Sequence, residues 1–348
     1  MLLSLYAGCG AMDLGFEHAG FSIGLAYDIR PHSIRSWNRN RSDPSRGHVA
    51  DLNTIRFPDI DRHYGKKFVP SGVIGGPPCQ SFSRANRSPN PDDPRSKLVR
   101  RFFTLALRFH KHRGPLDFIL MENVPALQKF QSGRLLDREI DRLEQNGFDV
   151  CLFFADAATH SVPQYRHRLF LLAFPNPSRT MTRWSPPDGN GQRKTVADAI
   201  RDLPSPAYFT ASMDKDAIPL HENHWCMMPK SRKFSDGTLT AGDTSARSFK
   251  TLAWDKPSVT ASYGHREVHV HPNGTRRLSV FEAMKLQGFP DNYFLEGTLS
   301  AQIDQVSEAV PPPLAEAVAA SIRSALAISA DSVSRKNYAP MPASTAGS

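Results

Sequence analysis

The chain opens MLLSLYAGCGAMDLGFEHAGF (residues 1–21), and this stretch sets the fold. The apolar run from Leu2 to Tyr6 reads as a strand, Gly8 and Gly10 as a turn, and Met12, Leu14, Phe16 and Ala19 as the apolar side of a helix. A strand that feeds a helix through glycines is the opening unit of an α/β sheet. Reading outward, residues 22–28 form a second strand ending at Asp28, and residues 69–76 a third. A helix over 96–112 precedes a strand over 116–123, and a helix over 135–147 precedes strands over 148–157 and 167–174. Alternation of this kind predicts an open, mostly parallel sheet whose ligands sit at the strand carboxyl ends.

After Phe174 the pattern breaks. Residues 175–256 are rich in Pro, Ser and Asp with few periodic runs, so a smaller, irregular and strand-poor second domain is expected there. Regular patterning returns with RRLSVFEAMKLQGFP (residues 276–290) and a helix over 312–328. The expected division is 1–174 plus 302–328 for the large domain and 175–301 for the small one. A small, polar tail over 329–348 is expected to be disordered.

Gly8-x-Gly10 after a strand, with an acid closing the next strand, is a nucleoside-binding pattern. The glycines let the backbone approach a ligand, and Asp28, 18 residues beyond Gly10, can accept ribose hydroxyls. The pattern fits a dinucleotide as well as S-adenosyl-L-methionine. Glycines at such a turn also occur for structural reasons alone.

The 348 residues carry 43 Lys and Arg against 34 Asp and Glu, a net charge of +9. That excess points to a polyanionic partner. It concentrates in residues 84–113, where nine basic residues face only Asp92 and Asp93, a net of +7. A charge run by itself usually marks a solvated helix face. This one follows a cysteine set behind two prolines in GVIGGPPCQSFSRANRSPNP (residues 72–91), where the chain breaks out of an apolar run. No run reaches the ~18 apolar residues of a membrane span, and the N-terminus lacks a signal peptide's regions. The four cysteines, Cys9, Cys79, Cys151 and Cys226, contain no CxxC pair, which argues against a zinc cage and for a reducing cytoplasm. No metal is expected; His221, His224 and Cys226 lack a further ligand at good spacing. Cys9 is expected to pack, and His160 and His167 are assigned no role.

In order along the chain, YAGCGAMDLGF (residues 6–16), GGPPCQSFS (75–83), MENV (121–124), VPQYRHRLFLLAF (162–174), the segment 256–293 and QVSEAVPPPLAEAVAASI (305–322) resemble the C5-cytosine DNA methyltransferases over nearly the whole chain. The resemblance implies a Rossmann-like, S-adenosylmethionine-dependent sheet with an irregular DNA-recognition domain. Its substrate would be double-stranded DNA. The chain starts at the cofactor strand, which suits a prokaryotic or phage enzyme, monomeric and cytoplasmic, with a cognate restriction endonuclease compatible but not required.

The chemistry accounts for the residue types. Cytosine C5 is a weak nucleophile; a thiolate adding to C6 makes it enamine-like while an acid protonates N3. By resemblance Cys79 is the nucleophile, Glu122 holds N3 and the exocyclic amine, Arg168 reaches the base O2 and Arg166 supports it. The target atoms are inaccessible in a duplex, so the nucleotide must flip out. Gln80, Ser83, Arg84, Arg87 and Arg95 fall in the loop that would close on DNA. For the cofactor, the resemblance assigns Tyr6 to adenine, with Ala7, Gly8 and Gly10 in the binding loop. It gives Asp28 the ribose, Ile29 the position after it, and Asp51 the adenine amine, with Leu52 beside it. Pro78 and Leu98 would line the pocket, and Glu308, Ala309 and Val310 would approach the methionine end.

Three positions are noted against the family. Ala11 replaces a glycine, a small change; Ile29 stands in a position that is aromatic or apolar, also benign; and Ser307-Glu308 replace Gly-Asn. Either Ser307 caps the last helix with Glu308 in its first turn, favoured by the dipole, or Glu308 shares a low-dielectric pocket with Glu122. The latter is the favoured expectation. Rival readings are a transfer-RNA cytosine methyltransferase, whose Cys-Phe-Thr stretch is absent, a catalytically weak DNA-binding homologue, and a nicotinamide-dependent oxidoreductase.

Overall fold

The computed structural model describes residues 1–78, 96–178, 180–210, 213–245, 248–260 and 269–337. Among these, seven strands form one sheet: β1 (Leu2–Leu5), β2 (Ile23–Asp28), β3 (Gly47–Val49), β4 (Gly72–Gly75), β5 (Phe118–Asn123), β6 (Phe148–Asp156) and β7 (His167–Pro175). Their order is β3-β2-β1-β4-β5-β7-β6, parallel apart from β7, which runs antiparallel to both β5 and β6. The helices alternating with these strands are α1 (Ala11–His18), α2 (Pro31–Arg39), α3 (Phe57–Tyr64), α4 (Ser96–His112) and α5 (Arg134–Gln145). Of these elements, α2, β3 and α3 are additions to the sequence reading. β3 has only three residues, one of them glycine, too few to show an alternation.

Strand alternation divides the core. Leu3, Leu5, Val73, Ile119 and Met121 face one side, where Val99, Phe102, Phe103 and Phe109 of α4 cover them. Leu2, Ile74, Phe118 and Leu120 face the other, covered by Met12 and Phe16 of α1 and by a long closing helix. The strands β1, β2, β4 and β5 therefore bury both faces, as the centre of a doubly wound sheet requires.

The second region is irregular, as its composition predicts: α6 (Val196–Ile200) and the two-residue pairs β8 (Ala207–Tyr208) with β9 (Trp225–Cys226) and β10 (Lys250–Thr251) with β11 (His269–Val270). It leads into α7 (Val280–Leu286) and α8 (Leu299–Glu308), which share a core with Cys9 and Ala11 at the glycine turn after β1. The final helix, α9 (Pro312–Asn337), buries Leu314, Ala315, Val318, Ala319 and Ile322 against α1. The helices meet closely at Gly15, where a Cβ would lie 2.5 Å from that of Ala315. The backbone of α9 continues past Ile328 because residues 329–337 hold neither Gly nor Pro. Most of the expected tail lies outside the described residues.

Candidate active site

The carboxyl ends of β1, β2, β3 and β4 carry Tyr6, Asp28, Asp51 and Gly76 along one edge. After β1 the chain turns sharply: Tyr6 (φ 55°), Gly8 (56°) and Gly10 (87°) are all left-handed. Glycine takes this conformation without strain, whereas Tyr6 is held there by its surroundings. Its hydroxyl donates to the Leu98 carbonyl at 3.4 Å, and burial pushes its pKa upward. Gly8 N donates to Asp28 Oδ2 at 2.9 Å and Arg30 N to Asp28 Oδ1 at 2.9 Å, so the buried acid is fixed by two backbone donors. Each of its oxygens keeps a further lone pair for a ligand hydroxyl. A Cβ on Gly8 would meet nothing within 4 Å, so the loop has room for a ligand lying against it.

Asp51 closes an Asx turn, with Oδ1 accepting from Asn53 N and Nδ2, both at 2.9 Å. The next residue, Leu52, is buried, and its carbonyl accepts from Arg101 Nε at 2.5 Å. Ile29 is 63 % exposed and Pro78 is exposed, whereas Ala309 and Val310 are buried. These residues fit a nucleoside: a carboxylate for the ribose, and an exposed isoleucine and the tyrosine for the faces of the base.

The base side lies two strands along. Register sets Gly75 opposite Met121, so Glu122 follows beside Gly76, and its Oε2 would come within 3.0 Å of a Cβ there. Glycine at position 76 thus leaves room for the carboxylate. Glu122 pairs with Phe170 across β5 and β7, which puts Arg168 on the same face, diagonally beyond. Arg168 Nε donates to Glu122 Oε1 at 2.8 Å with both residues 7 % exposed. Burial raises the Glu122 pKa above the usual carboxylate range, opposed by Arg168 and Arg166. Asn123, on the opposite face, donates from Nδ2 to the Pro77 carbonyl at 3.0 Å and so ties down the Pro-Pro turn.

Cys79, Gln80, Ser83, Arg84, Arg87 and Arg95 lie outside the described residues. The other three cysteines are poor nucleophiles: burial pushes Cys9 up to about 12 and raises Cys151, and Cys226 is 1 % exposed. His221 stacks on Phe281 and Phe294, and His224 has both ring nitrogens engaged, by Ser279 Oγ (2.9 Å) and the Pro204 carbonyl (2.8 Å). Both histidines are built into the packing.

Arg166 is fully buried and donates through Nη2 to the Ser307 (2.5 Å) and Ala309 (2.8 Å) carbonyls, so it braces the α8–α9 link, and its charge also acts on Glu122. Two expectations are corrected. Ser307 and Glu308 end α8, while α9 starts at Pro312, so Ser307 does not cap the last helix. Glu308 is 38 % exposed and pairs with Arg30, so it shares no low-dielectric pocket with buried Glu122. Within the basic run, Arg101 holds Leu52, and Arg113 pairs with Asp61 at 2.7 Å, so part of that charge serves the fold. Arg30 and Arg101 went unrecognised in the sequence. Arg30 stands two residues after Asp28, but its partner lies 278 positions away.

A doubly wound sheet with β7 reversed, a left-handed glycine loop and an acid at the end of β2 place the chain among the nucleoside-binding α/β folds. Residues 1–324 match the family model for C-5 cytosine-specific DNA methylase. The chain is 32 % identical over 341 residues to the type II methyltransferase M1.HphI of Haemophilus parahaemolyticus, covering 92 % of this chain and 86 % of that protein. It is 29 % identical over 356 residues to M.NgoPII of Neisseria gonorrhoeae, covering 93 % and 96 %. A crystal structure of a putative DNA modification methyltransferase encoded within an Escherichia coli prophage superposes with a TM-score of 0.75 at 21 % identity, covering 94 % and 99 %. The chain belongs to the C-5 cytosine-specific DNA methylase family. It is an S-adenosylmethionine-dependent DNA (cytosine-5)-methyltransferase.

Proposed function

We propose that this enzyme flips a target cytosine out of double-stranded DNA and attacks it with Cys79. The buried Glu122–Arg168 pair, set over Gly76 three residues before Cys79, carries this reading. The Cys79 thiolate forms a bond to C6 while Glu122, whose pKa burial raises, holds a proton at N3. Arg168 orients Glu122 and reaches the base O2. S-adenosylmethionine, when bound, supplies an electrophilic methyl group for C5. Loss of the C5 proton to a base or water then lets the S–C6 bond break, returning the thiolate.

Tyr6, Ala7, Gly8, Gly10, Asp28, Ile29, Asp51, Leu52, Pro78 and Leu98 form the cofactor pocket in this reading, with Glu308, Ala309 and Val310 at its far end. Gln80, Ser83, Arg84, Arg87 and Arg95 meet DNA. Residues 175–301 serve target recognition and 1–174 with 302–328 catalysis. The type II relatives support a restriction–modification setting, in which a cognate endonuclease is compatible but not required; the enzyme is read as a monomer acting in the cytoplasm.

The test is Cys79→Ala. Methyl transfer should vanish while specific DNA binding persists, since contacts outside the pocket supply most of the affinity. A duplex with 5-fluorocytosine at the target should trap wild type covalently, because fluorine blocks the elimination. Turnover by the alanine variant, or no trapped adduct, would overturn the covalent route.

A further inference from the structure

The segment 307–309 is held from two sides. Arg166, at the entry to β7, takes the carbonyls of Ser307 and Ala309. From the other side the Arg30 guanidinium pairs through Nη2 with Glu308 Oε2, while its Nε lies 3.5 Å from Asp28 Oδ1. Arg30 thus stands between two carboxylates, one at the end of β2 and one at the end of α8. Asp28 is 5 % exposed and already fixed by Gly8 N and Arg30 N, so a guanidinium settling fully onto it would take the lone pairs a ribose needs. Glu308 supplies the stronger competitor: its contact with Arg30 is the shorter, and its carboxylate contributes more than Asp28 to keeping the guanidinium charged.

We propose that Arg30 and Glu308 act as one latch, in which Glu308 draws the Arg30 guanidinium off Asp28 and thereby keeps the ribose-binding carboxylate open. Glu308 is then a positioning residue that works through Arg30, not a counter-charge to the sulfonium. The residue pair also explains why a carboxylate is tolerated at the end of α8: its charge is matched by a cation from the β2 turn. The proposal rests on the reading of Asp28 as the ribose acid.

Calorimetric binding of S-adenosylmethionine and S-adenosylhomocysteine to wild type, Glu308→Gln, Arg30→Met and the double variant tests it. Glu308→Gln should weaken both compounds by about tenfold and equally, because both carry the same ribose, leaving their affinity ratio unchanged. In the Arg30→Met background, Glu308→Gln should add nothing, since no guanidinium remains to be drawn away. The swapped pair Arg30→Glu with Glu308→Arg should restore thermal stability but not affinity, because it puts a second carboxylate beside Asp28. A shift in the affinity ratio, additive losses in the double variant, or restored affinity in the swapped pair would each overturn the latch. Wild type binding neither compound would sink the cofactor reading itself, and Asp28→Ala binding as wild type does would remove the ribose assignment alone.

Discussion

A single buried carboxyl shows how the cofactor loop is anchored. Asp13, 0 % exposed in α1, accepts from Ser4 Oγ at 2.7 Å and Trp37 Nε1 at 2.6 Å, linking β1, α1 and α2 just behind Gly8 and Gly10. Burial raises its pKa to about 6, against the lowering influence of Arg41 and the two hydrogen bonds. A carboxyl raised on folding stabilises the protein while protonated in both states, and that contribution is lost as pH rises through the folded value. The stability of wild type relative to Asp13→Asn should therefore fall between about pH 4 and 6 and be level above that window. Thermal unfolding of both proteins across this range checks it, and a constant difference would mean that Asp13 stays ionised.

Among the elements, α4 carries part of the basic run over residues 84–113, and some of its cations are engaged within the fold. Arg101 on α4 and Arg113 just after it are committed to Leu52 and Asp61, and the guanidinium of Arg108 stacks on Phe57, 4.9 Å from its ring centroid. Phosphate contact is therefore expected from Arg84, Arg87 and Arg95. Replacing all three with Gln should reduce the slope of log affinity against log salt by about 3, near one counterion per phosphate contact. The methylated sequence should stay the same, because backbone contacts position the protein without reading bases. Titrations on cognate and random duplexes at several salt concentrations measure the slope. A changed target sequence would move these arginines into the groove.

At the scale of the whole molecule, histidines that burial keeps neutral should make the fold sensitive to acid. Burial lowers His48 and His271 to about 4, the former helped by His63, which stacks on it at 4.1 Å, and lowers His269 to about 3. A histidine depressed on folding contributes stability above its ordinary value near 6.5, lost progressively as pH falls towards the folded value. Burial also lowers His32, His63, His110, His221 and His224, so among the described residues eight depressed histidines oppose four carboxyls that burial raises, Asp13, Asp117, Glu122 and Glu139. The melting temperature should therefore drop below pH 6.5, and His269→Gln should flatten the decline if the variant's fold is retained by circular dichroism. An unchanged slope would exclude His269 as a source. The sequence by itself determined six of the sheet's seven strands from their apolar runs and the turn after β1 from its glycines, and the roles proposed for Cys79 and Glu122 rest on motif order, because these depend on near neighbours along the chain. It also carried the irregularity of residues 175–256, as a lack of periodicity. Only the tertiary structure decided that β7 lies reversed between β5 and β6, bringing Arg168 to Glu122, that Arg166 turns to the α8–α9 link, and that Glu308 meets Arg30. Those outcomes depend on strand register and helix packing between residues far apart in sequence. Periodicity reports which face of an element is buried, but not which partner buries it.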